Sequence, residues 1–530
     1  MSRTGHSKKS NLTSGIALSA ALAMPSVSLA TEITLRSADG TVNIVGEFVD
    51  FVDNSYVVKT GLGDIRVSAS RVSCIGDACP TFGDIDADVV MAGSDTLGVG
   101  IMPLLLSGYA SSHGALATIT STDDGGGTLA ELVADEGFGE PIGDYLVNTT
   151  TSGGAFEALM DGSASIGLSA RRIMPQEARA LRGDGAGNMI DPSQEHILAL
   201  DTLVVIVHPE NNVDSLTLDQ LRAIYAGQIT NWSQLGGDNA PITLVTHAEG
   251  SDTRDVFKST VFGDDVPADP TSTVIAQDNN EMALTVNSNP YAIGYSGFAF
   301  QRGAQPVTLI NECGLSMVPD SFSARTEEYA LQRVLYLYNR GDLNDPAAQS
   351  FVDYATSEAA EAVITKAGFI DLGVDRRAQP ADGARARQLT DPNVDPFEGG
   401  VMQEMLAEMV NYDRLSTTFR FQTGSQNLGQ RGLLNLARLA DYLEEQPSGT
   451  KIMFVGFTDD VGPFQSNREL SVDRAARVRD TLRDFAGNRL AGIEMDVAGY
   501  GEIAPAACNI SDSGRQTNRR VEVWIQTTNG

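Results

Sequence analysis

The stretch ALDTLVVIVHPENNVDSLTLDQLRAIYAGQITNWSQLGG, residues 199–237, determines the fold class. Its apolar run at 202–207 has the length of a buried strand. Thr217 and Gln220 follow at the spacing of a capping box, which predicts that a helix begins there. Gly227 predicts the end of that helix, because glycine readily adopts the left-handed conformation that stops a helix.

Strands and helices continue to alternate further along the chain. Residues 242–246 (ITLVT) predict another strand, and a helix is expected to begin at Asp252 or Thr253. This alternation predicts an α/β fold with a largely parallel sheet over residues 86–373. Before it, residues 31–85 alternate apolar and polar positions between turn signals, which predicts a small β module of four or five strands.

Net charge and targeting signals limit the classes of function that this protein could have. The net charge of −32 argues against non-specific binding to nucleic acid, which requires a basic surface. Residues 1–30 combine a basic start, a short apolar stretch and a small-residue cleavage site, which predicts a signal peptide. No later run approaches the ~20 apolar residues of a membrane-spanning helix. We therefore expect an exported, periplasmic protein.

Four cysteines are consistent with an oxidising compartment. Cys74 and Cys79 enclose a short loop, so a local disulfide is predicted. Cys313 and Cys508 lie far apart in the sequence, which leaves them either free or paired. The cysteine spacing and the five scattered histidines match no zinc pattern, so we predict no metal site and no cofactor.

The C-terminal part of the chain divides in two. Residues 374–409 are polar, aperiodic and contain Pro and Gly, which predicts an extended and mobile linker. Residues 410–530 predict a compact α+β sandwich, in which strands alternate with two amphipathic helices and the last strands are half buried.

Several spaced motifs occur together in this last domain: GFTDDVG (456–462), Asn467, Arg474, GYGE (499–502) and NRRVEV (518–523). Their combination and order resemble the OmpA-like peptidoglycan-binding family over roughly residues 410–527. The resemblance implies attachment to the cell wall in the periplasm of a Gram-negative bacterium, in association with the outer membrane.

The same resemblance implies a site for the diamino acid of a peptidoglycan stem peptide, which carries an ammonium beside a carboxylate. Asp459 is expected to accept from the ammonium, and Arg474 to grip the carboxylate in a two-pronged contact. Asn467 is expected either to fix the loop or to add a hydrogen bond, and Arg519 to line the same site. The alternative is that Asp459 and Arg474 form only an internal salt bridge.

Three loops of small and hydroxyl residues lie in the α/β domain, each between a strand and a helix: GSDTL (93–97), TSGGA (151–155) and GSDTR (250–254). Helix N termini bind oxyanions through free N–H groups and the positive end of the helix dipole. One such loop alone is more often a plain helix cap. Three together predict an oxyanion site.

The wider sequence resembles the phosphate-binding proteins of ABC transporters, in residues 199–237 and in the stretches SIGLSARRI (165–173), GSDTRDVFKSTVF (250–262) and YAIGYSGFAF (291–300). The resemblance implies a two-lobed periplasmic-binding-protein fold that closes on phosphate or a related oxyanion, with an ABC-transporter permease as a further partner. The ligand residues that it implies are Ser94, Thr96, Leu97 (through its backbone N–H), Ser152, Ser251 and Thr253.

Two residues depart from that family's pattern. His247 stands where the family usually has Arg, and Asp252 stands where it usually has Gly. A positive charge is lost and a carboxylate is added, and Asp252 would either accept a proton from the ligand or repel the anion. Arg171, Arg172 and Arg254 are the candidates for replacing the lost charge.

The sequence therefore predicts a periplasmic oxyanion-binding protein, with phosphate as the expected ligand, held at peptidoglycan by its C-terminal domain. The alternative is a structural or interaction protein of the envelope whose binding-protein domain no longer serves transport. An enzyme is not expected, because the sequence contains no nucleophile elbow, metal-hydrolase pattern or Walker loop.

Overall fold

A computed structural model describes residues 32–527, apart from the short stretches 38–42, 52–54, 62, 69–71, 77, 80–84, 123–125, 264, 391–395 and 423–427. The signal peptide predicted at 1–30 lies outside the described residues. Among the helices that the structure describes, none has both the length and the apolar character needed to cross a membrane.

The N-terminal module is one antiparallel sheet of five strands in the order β4-β3-β2-β1-β5. The strands are β1 (Glu32–Ser37), β2 (Asn43–Phe51), β3 (Ser55–Thr60), β4 (Gly63–Ser68) and β5 (Val72–Ile75). Leu35 and Val58 are fully buried in its small core. A disulfide joins Cys74 to Cys79, which confirms the pairing predicted from the short loop between them.

The first lobe of the binding domain follows this module. Its first elements are β6 (Val89–Ser94), α1 (Asp95–Gly98), α2 (Met102–Ser112), β7 (Leu116–Ser121), β8 (Gly127–Val133), α3 (Ala134–Gly137), β9 (Pro141–Thr150), α4 (Ser152–Asp161), β10 (Ile166–Ser169), α5 (Pro175–Gly183) and β11 (Glu195–Val207). Gly93 near the end of β6 has a φ of 142°, and a Cβ there would lie 2.0 Å from the carbonyl oxygen of Leu168. Glycine therefore allows β6 to approach β10 closely just before the loop that carries Ser94.

The second lobe has its own hydrophobic core. Its elements are β12 (Ser215–Thr217), α6 (Leu218–Tyr225), β13 (Thr243–His247), α7 (Asp252–Phe262), β14 (Val274–Ala276), α8 (Asn279–Asn287), β15 (Ala292–Gly297), β16 (Gln305–Pro306), β17 (Thr308–Ile310), β18 (Ser316–Met317) and α9 (Ser321–Arg325). The predicted capping box is present, because Thr217 Oγ1 accepts from the Gln220 N–H at 3.1 Å and Gln220 Oε1 accepts from the Thr217 N–H at 2.8 Å.

The chain then returns to the first lobe through β19 (Gln332–Asn339), α10 (Pro346–Ala355) and α11 (Glu358–Lys366). Strands β11 and β19 pair with each other and connect the two lobes. Along β11, Leu198 packs in the core of the first lobe and Leu203 in that of the second. Likewise, Leu335 of β19 packs in the core of the first lobe, and Leu331, which lies just before β19, packs in the core of the second lobe.

The large sheet has the strand order β14-β13-β15-β11-β19-β10-β6-β9-β8-β7, with β16 also paired to β11. The two-lobed fold is as predicted, but the prediction of a largely parallel sheet is wrong. Strand β6 pairs in parallel with β9 and β10, and β13 with β14 and β15. The connecting strands β11 and β19 pair antiparallel with each other and with their other neighbours. Hydrophobic runs do not distinguish these pairings, because buried strands of either kind have apolar side chains on both faces.

The C-terminal domain contains a five-stranded sheet in the order β20-β21-β24-β22-β23. Its elements are β20 (Arg376–Arg377), α12 (Ala384–Gln388), α13 (Pro396–Met409), β21 (Tyr412–Arg420), α14 (Gln430–Glu444), β22 (Lys451–Gly456), α15 (Phe464–Ala486), β23 (Glu494–Gly499), α16 (Asp512–Asn518) and β24 (Arg520–Gln526). Helices α14 and α15 pack in one core with the sheet. Gly456 allows α15 to lie close to β22, since a Cβ there would lie 1.9 Å from the carbonyl oxygen of Ser471.

The structure contradicts the prediction of an extended linker over the whole of 374–409. Strand β20 pairs antiparallel with β21, so it extends the sheet of the C-terminal domain. Helix α13 buries Val401, Met405 and Met409 in a core that also contains Trp524. The spacing of four residues between these apolar positions is helical, but polar and Pro-containing neighbours concealed it in the sequence.

The C-terminal domain is docked on the binding domain. A second disulfide joins Cys313, between β17 and β18 of the second lobe, to Cys508 of the C-terminal domain. Glu328 of the second lobe pairs with Arg414 of β21 at 2.6 Å. The question that the sequence left open about Cys313 and Cys508 is thus answered in favour of pairing.

Replacing Cys313 and Cys508 together with Ala should destabilise the docked arrangement. A disulfide that closes a long loop restricts the unfolded chain and typically stabilises by about 2–4 kcal/mol. We expect scanning calorimetry to show a lower unfolding temperature for the C-terminal domain. The matched control, C74A/C79A, opens a loop with a sequence separation of only 5 residues and should leave that transition in place. Equal effects of the two double variants would contradict this account.

Candidate functional site

A buried ion pair lies where the two connecting strands run side by side. Arg333 of β19 stands directly opposite Asp201 of β11. Its Nη2 and Nε donate to Asp201 Oδ2 at 2.7 and 3.0 Å. The other carboxylate oxygen, Oδ1, accepts from the N–H groups of Thr202 and Phe298. The pair is therefore well hydrogen-bonded, as a buried ion pair must be.

The same guanidinium contacts both lobes. Arg333 Nη2 donates to Thr96 Oγ1 of the first lobe at 3.1 Å, and Nη1 donates to Thr253 Oγ1 of the second lobe at 3.3 Å. Both threonines were predicted as ligand residues, and each is at most 1% exposed. We call the region between the lobes, lined by Ser94, Thr96, Ser152, Thr253 and Arg333, the cleft.

Two helix N termini meet across the cleft. Ser152 is the first residue of α4 in the first lobe, and Asp252 is the first residue of α7 in the second. The backbone N–H and the hydroxyl of Ser152 donate to Asp252 Oδ2 at 2.9 and 2.8 Å. A carboxylate oxygen of the protein itself thus takes the donors that the sequence assigned to an oxyanion.

The remaining predicted ligand residues differ in their surroundings. Ser94 is fully buried, and its hydroxyl has no hydrogen-bond partner among the residues that the model describes. The side chain of Leu97 packs in the core of the first lobe, so only its backbone N–H could serve a ligand. Ser251 precedes α7, but its side chain does not cap that helix. Ser94, Thr96, Ser152 and Thr253 are therefore the buried hydroxyls of the cleft.

The charges around the cleft are mostly acidic. Burial raises the pKa of Asp95, Arg333 opposes the shift, and Asp252 and Asp278 add to it. His247 is 1% exposed, and burial lowers the pKa of its imidazole to about 4. His247 is therefore neutral at pH 7 and cannot supply the positive charge that an arginine would bring to this position.

The three arginines proposed to replace that charge are engaged elsewhere. Arg171 pairs with Glu177 at 2.6 Å, Arg172 with Glu195 at 2.7 Å, and Arg254 with Asp269 at 2.7 Å.

Arg333 is a cation that contacts hydroxyls of both lobes in the cleft, and sequence reasoning missed it. A signal was present, because a charged residue inside the apolar run LQRVLYLY (331–338) requires a buried partner.

The predicted wall-binding residues of the C-terminal domain lie close together. Asp459 pairs with Arg519 at 2.6 Å, and no hydrogen bond or ion pair joins it to Arg474 among the described residues. The Arg474 guanidinium is 5.3 Å from the ring centre of Phe421. The alternative of an internal Asp459–Arg474 salt bridge is therefore not what the structure contains.

Arg474 has unused hydrogen-bonding capacity. It is 3% exposed, and its Nε and Nη1 have no partner among the described residues. Burial lowers the pKa of its guanidinium, and the nearby Asp459 opposes that shift. Asn467 Nδ2 donates to the Asp459 carbonyl at 3.3 Å and to Glu502 Oε2 at 2.5 Å, so Asn467 holds the backbone at Asp459. The buried N–H groups of Arg474 are suited to a carboxylate.

Among the described residues, no cluster of three or more His, Cys, Asp or Glu side chains could hold a metal ion.

Two parts of the chain match models of known families. Residues 107–359 match the model of a PBP superfamily domain, and residues 420–519 match the model of the OmpA family. The chain thus contains one region similar to the PBP superfamily and a second region similar to the OmpA family. This is the combination predicted from the sequence, and it is confirmed.

Several known proteins resemble the binding domain. The phosphate-binding protein PstS of Bacillus subtilis (strain 168) is 28% identical over 259 residues, which are 48% of this chain and 81% of the relative. Protein SphX of Synechocystis is 27% identical over 293 residues, covering 52% of this chain and 85% of the relative. An ABC-type phosphate transport receptor from Vibrio cholerae aligns with 53% of this chain and 99% of its own, at 24% identity and a TM-score of 0.39.

The free energy of unfolding should fall as the pH drops from about 6.5 to 4. The folded protein keeps His247 neutral down to a pKa of about 4, whereas the unfolded imidazole takes up a proton near its ordinary value of 6.5. The contribution of neutral His247 to stability is fully present above about pH 6.5 and is lost as the pH falls toward 4. The free energy of unfolding should decrease by ~3 kcal/mol from this cause. Chemical denaturation of H247Q at several pH values should show a shallower decline.

His113 provides the control for that measurement, because it is exposed on the first lobe. H113Q should follow the pH dependence of the wild-type protein. A decline as steep in H247Q as in the wild type would show that other groups, not His247, are responsible.

Proposed function

We propose that this protein binds phosphate, or a closely related tetrahedral oxyanion, between the two lobes and is held at peptidoglycan by its C-terminal domain. The observation that carries the proposal is Arg333, a buried guanidinium in hydrogen-bond contact with a hydroxyl from each lobe. Such a cation, with the unpartnered hydroxyl of Ser94 and the N terminus of α4, supplies charge and donors suited to an oxyanion. The names of the relatives, PstS among them, support phosphate as the ligand.

The proposed ligand residues are Ser94, Thr96, Leu97 through its N–H, Ser152, Ser251 and Thr253, now with Arg333. In this proposal Arg333 provides the charge that His247 cannot, and Thr96 and Thr253 turn their hydroxyls to the ligand when it binds. The proposed role is binding and delivery rather than catalysis, and an ABC-transporter permease stays a predicted partner.

The C-terminal domain is proposed to bind the diamino acid of a stem peptide. Arg474 would donate two buried N–H groups to the carboxylate of the diamino acid. Asp459 would accept from its ammonium and would give up its ion pair with Arg519. This activity places the protein in the periplasm of a Gram-negative bacterium, attached to the wall beneath the outer membrane.

One observation favours a second function. Asp252 occupies the donors of Ser152, so the cleft is already joined by the protein's own carboxylate. A binding domain held in this way could serve a structural or interaction role in the envelope without a small ligand. The two functions differ in whether phosphate displaces Asp252 from Ser152.

Calorimetric titration of the intact exported chain with phosphate tests the first function. Bound anion is first removed by unfolding and refolding with the disulfides kept oxidised. We expect a Kd in the micromolar range or tighter, and S152A or T253A should weaken binding about tenfold, the effect of one lost hydrogen bond. D201N/R333M, which removes the ion pair without leaving one charge buried alone, should abolish binding.

The variant D252N separates the two functions. Loss of its negative charge should tighten phosphate binding, because Asp252 then no longer repels the anion or competes as strongly for Ser152. No heat of binding from either the wild type or D252N, with both proteins folded, would exclude phosphate binding and leave the structural role.

Attachment to the wall is tested by sedimentation with purified sacculi. D459A/R474A should leave the protein in the supernatant, because both charges that match the diamino acid are gone. R489A is the matched control, since Arg489 is an exposed arginine of the same domain, paired with Asp441 and Glu444. Sedimentation of the double variant like the wild type would refute the proposed wall site.

A further inference from the structure

A ligand can enter or leave the cleft only when the lobes separate. Thr96, Ser152 and Thr253 are each at most 1% exposed, and they belong to opposite lobes. Asp252 and Ser152 are hydrogen-bonded across the cleft, so the lobes are in contact there. Any contact that fixes one lobe relative to the other therefore affects how fast a ligand exchanges.

Helix α14 of the C-terminal domain contacts both lobes. Arg431, near its start, pairs with Glu327 at 2.7 Å. Arg438, two turns further along, forms an ion pair with Glu361. The side chain of Gln430 also donates to the carbonyl oxygen of Glu195 at 2.8 Å.

The partners of α14 lie in different cores. Glu361 is on α11, whose neighbouring residues Ala360 and Ile364 pack in the core of the first lobe. Glu327 is two residues before Tyr329, which is buried in the core of the second lobe. One helix thus holds a point on each lobe.

The helix is anchored in its own domain, so it can transmit force between these points. Its apolar face is buried in the core of the C-terminal domain through Leu436, Leu439, Ala440 and Leu443. The domain is in turn tied to the second lobe by the disulfide between Cys313 and Cys508 and by the Arg414–Glu328 pair. If the lobes open while the second lobe keeps these ties, the contacts of α14 with the first lobe must break.

We propose that the C-terminal domain acts as a brace across the two lobes, and that α14 slows the exchange of the anion in the cleft by holding the lobes together. The inference rests on the proposed function, because it assigns the brace to the retention of that ligand. It gives the wall-binding domain a second role, in which it sets how long the binding domain keeps its ligand.

The rate of phosphate release from the intact chain tests the brace. Radiolabelled phosphate is bound first and then chased with excess unlabelled phosphate. R438Q, and separately E361Q, should speed release by about threefold to tenfold, which corresponds to ~0.7–1.4 kcal/mol for one partly buried ion pair. The charge-reversed pair R438E/E361R should restore slow release.

R489Q is the matched control, because Arg489 pairs with Asp441 and Glu444 of the same helix within the C-terminal domain. It should release phosphate at the wild-type rate. Wild-type release rates in both R438Q and E361Q would overturn the brace while leaving phosphate binding intact.

A second measurement keeps the brace testable without a ligand. The N–H of Ser152 donates to Asp252 across the cleft, so its hydrogen exchange reports separation of the lobes. R438Q should speed this exchange, and R489Q should not. If the wild type binds no phosphate, the proposed function fails, and unchanged exchange at Ser152 in R438Q would separately refute the brace.

Discussion

The ion pair between Arg333 and Asp201 is the interaction on which the arrangement of the lobes depends. It lies between the two strands that connect them, where Asp201 stands opposite Arg333. A buried charge left without its partner is strongly destabilising, so the pair fixes these strands at the point where they cross from one core to the other. The same guanidinium extends to Thr96 and Thr253, which makes the structural pair part of the cleft as well.

Asp252 gives the cleft an unusual balance of charge. Its carboxylate bonds to Ser152 across the lobes, in the place that an oxyanion would be expected to take at a helix N terminus. The acidic group stabilises contact between the lobes, and for the same reason it competes with an anionic ligand. The affinity of the cleft for the proposed anion would therefore be the difference between the contacts that the anion makes and those that Asp252 gives up.

The docking of the two domains also depends on buried charge. Glu327 and Glu328 of the second lobe meet arginines of the C-terminal domain. Burial alone would raise the pKa of Glu328, but Arg414 and, to a smaller extent, Arg520 lower it to about 2. The chain has a net charge of −32, yet several of its arginines are concentrated at this interface. Their ion pairs with Glu327 and Glu328 give the C-terminal domain a defined position on the binding domain. The proposed wall site and the cleft thus lie in domains that are docked on each other, and not at the two ends of an extended linker.

Many of the elements and most of the candidate residues could be predicted from local sequence. Local patterns were sufficient for the capping box at Thr217, the Cys74–Cys79 disulfide and the glycine and hydroxyl loops, because each depends on neighbours close in the chain. Helix α13 was missed, since its apolar spacing is diluted by polar neighbours. Other features became visible only in the folded chain: the contacts of Arg333 and Asp252, the antiparallel pairing between the lobes, the Cys313–Cys508 bond and the position of α14. Each of these features depends on contacts between residues that are far apart in the sequence. The local periodicity of a sequence carries no information about such long-range contacts.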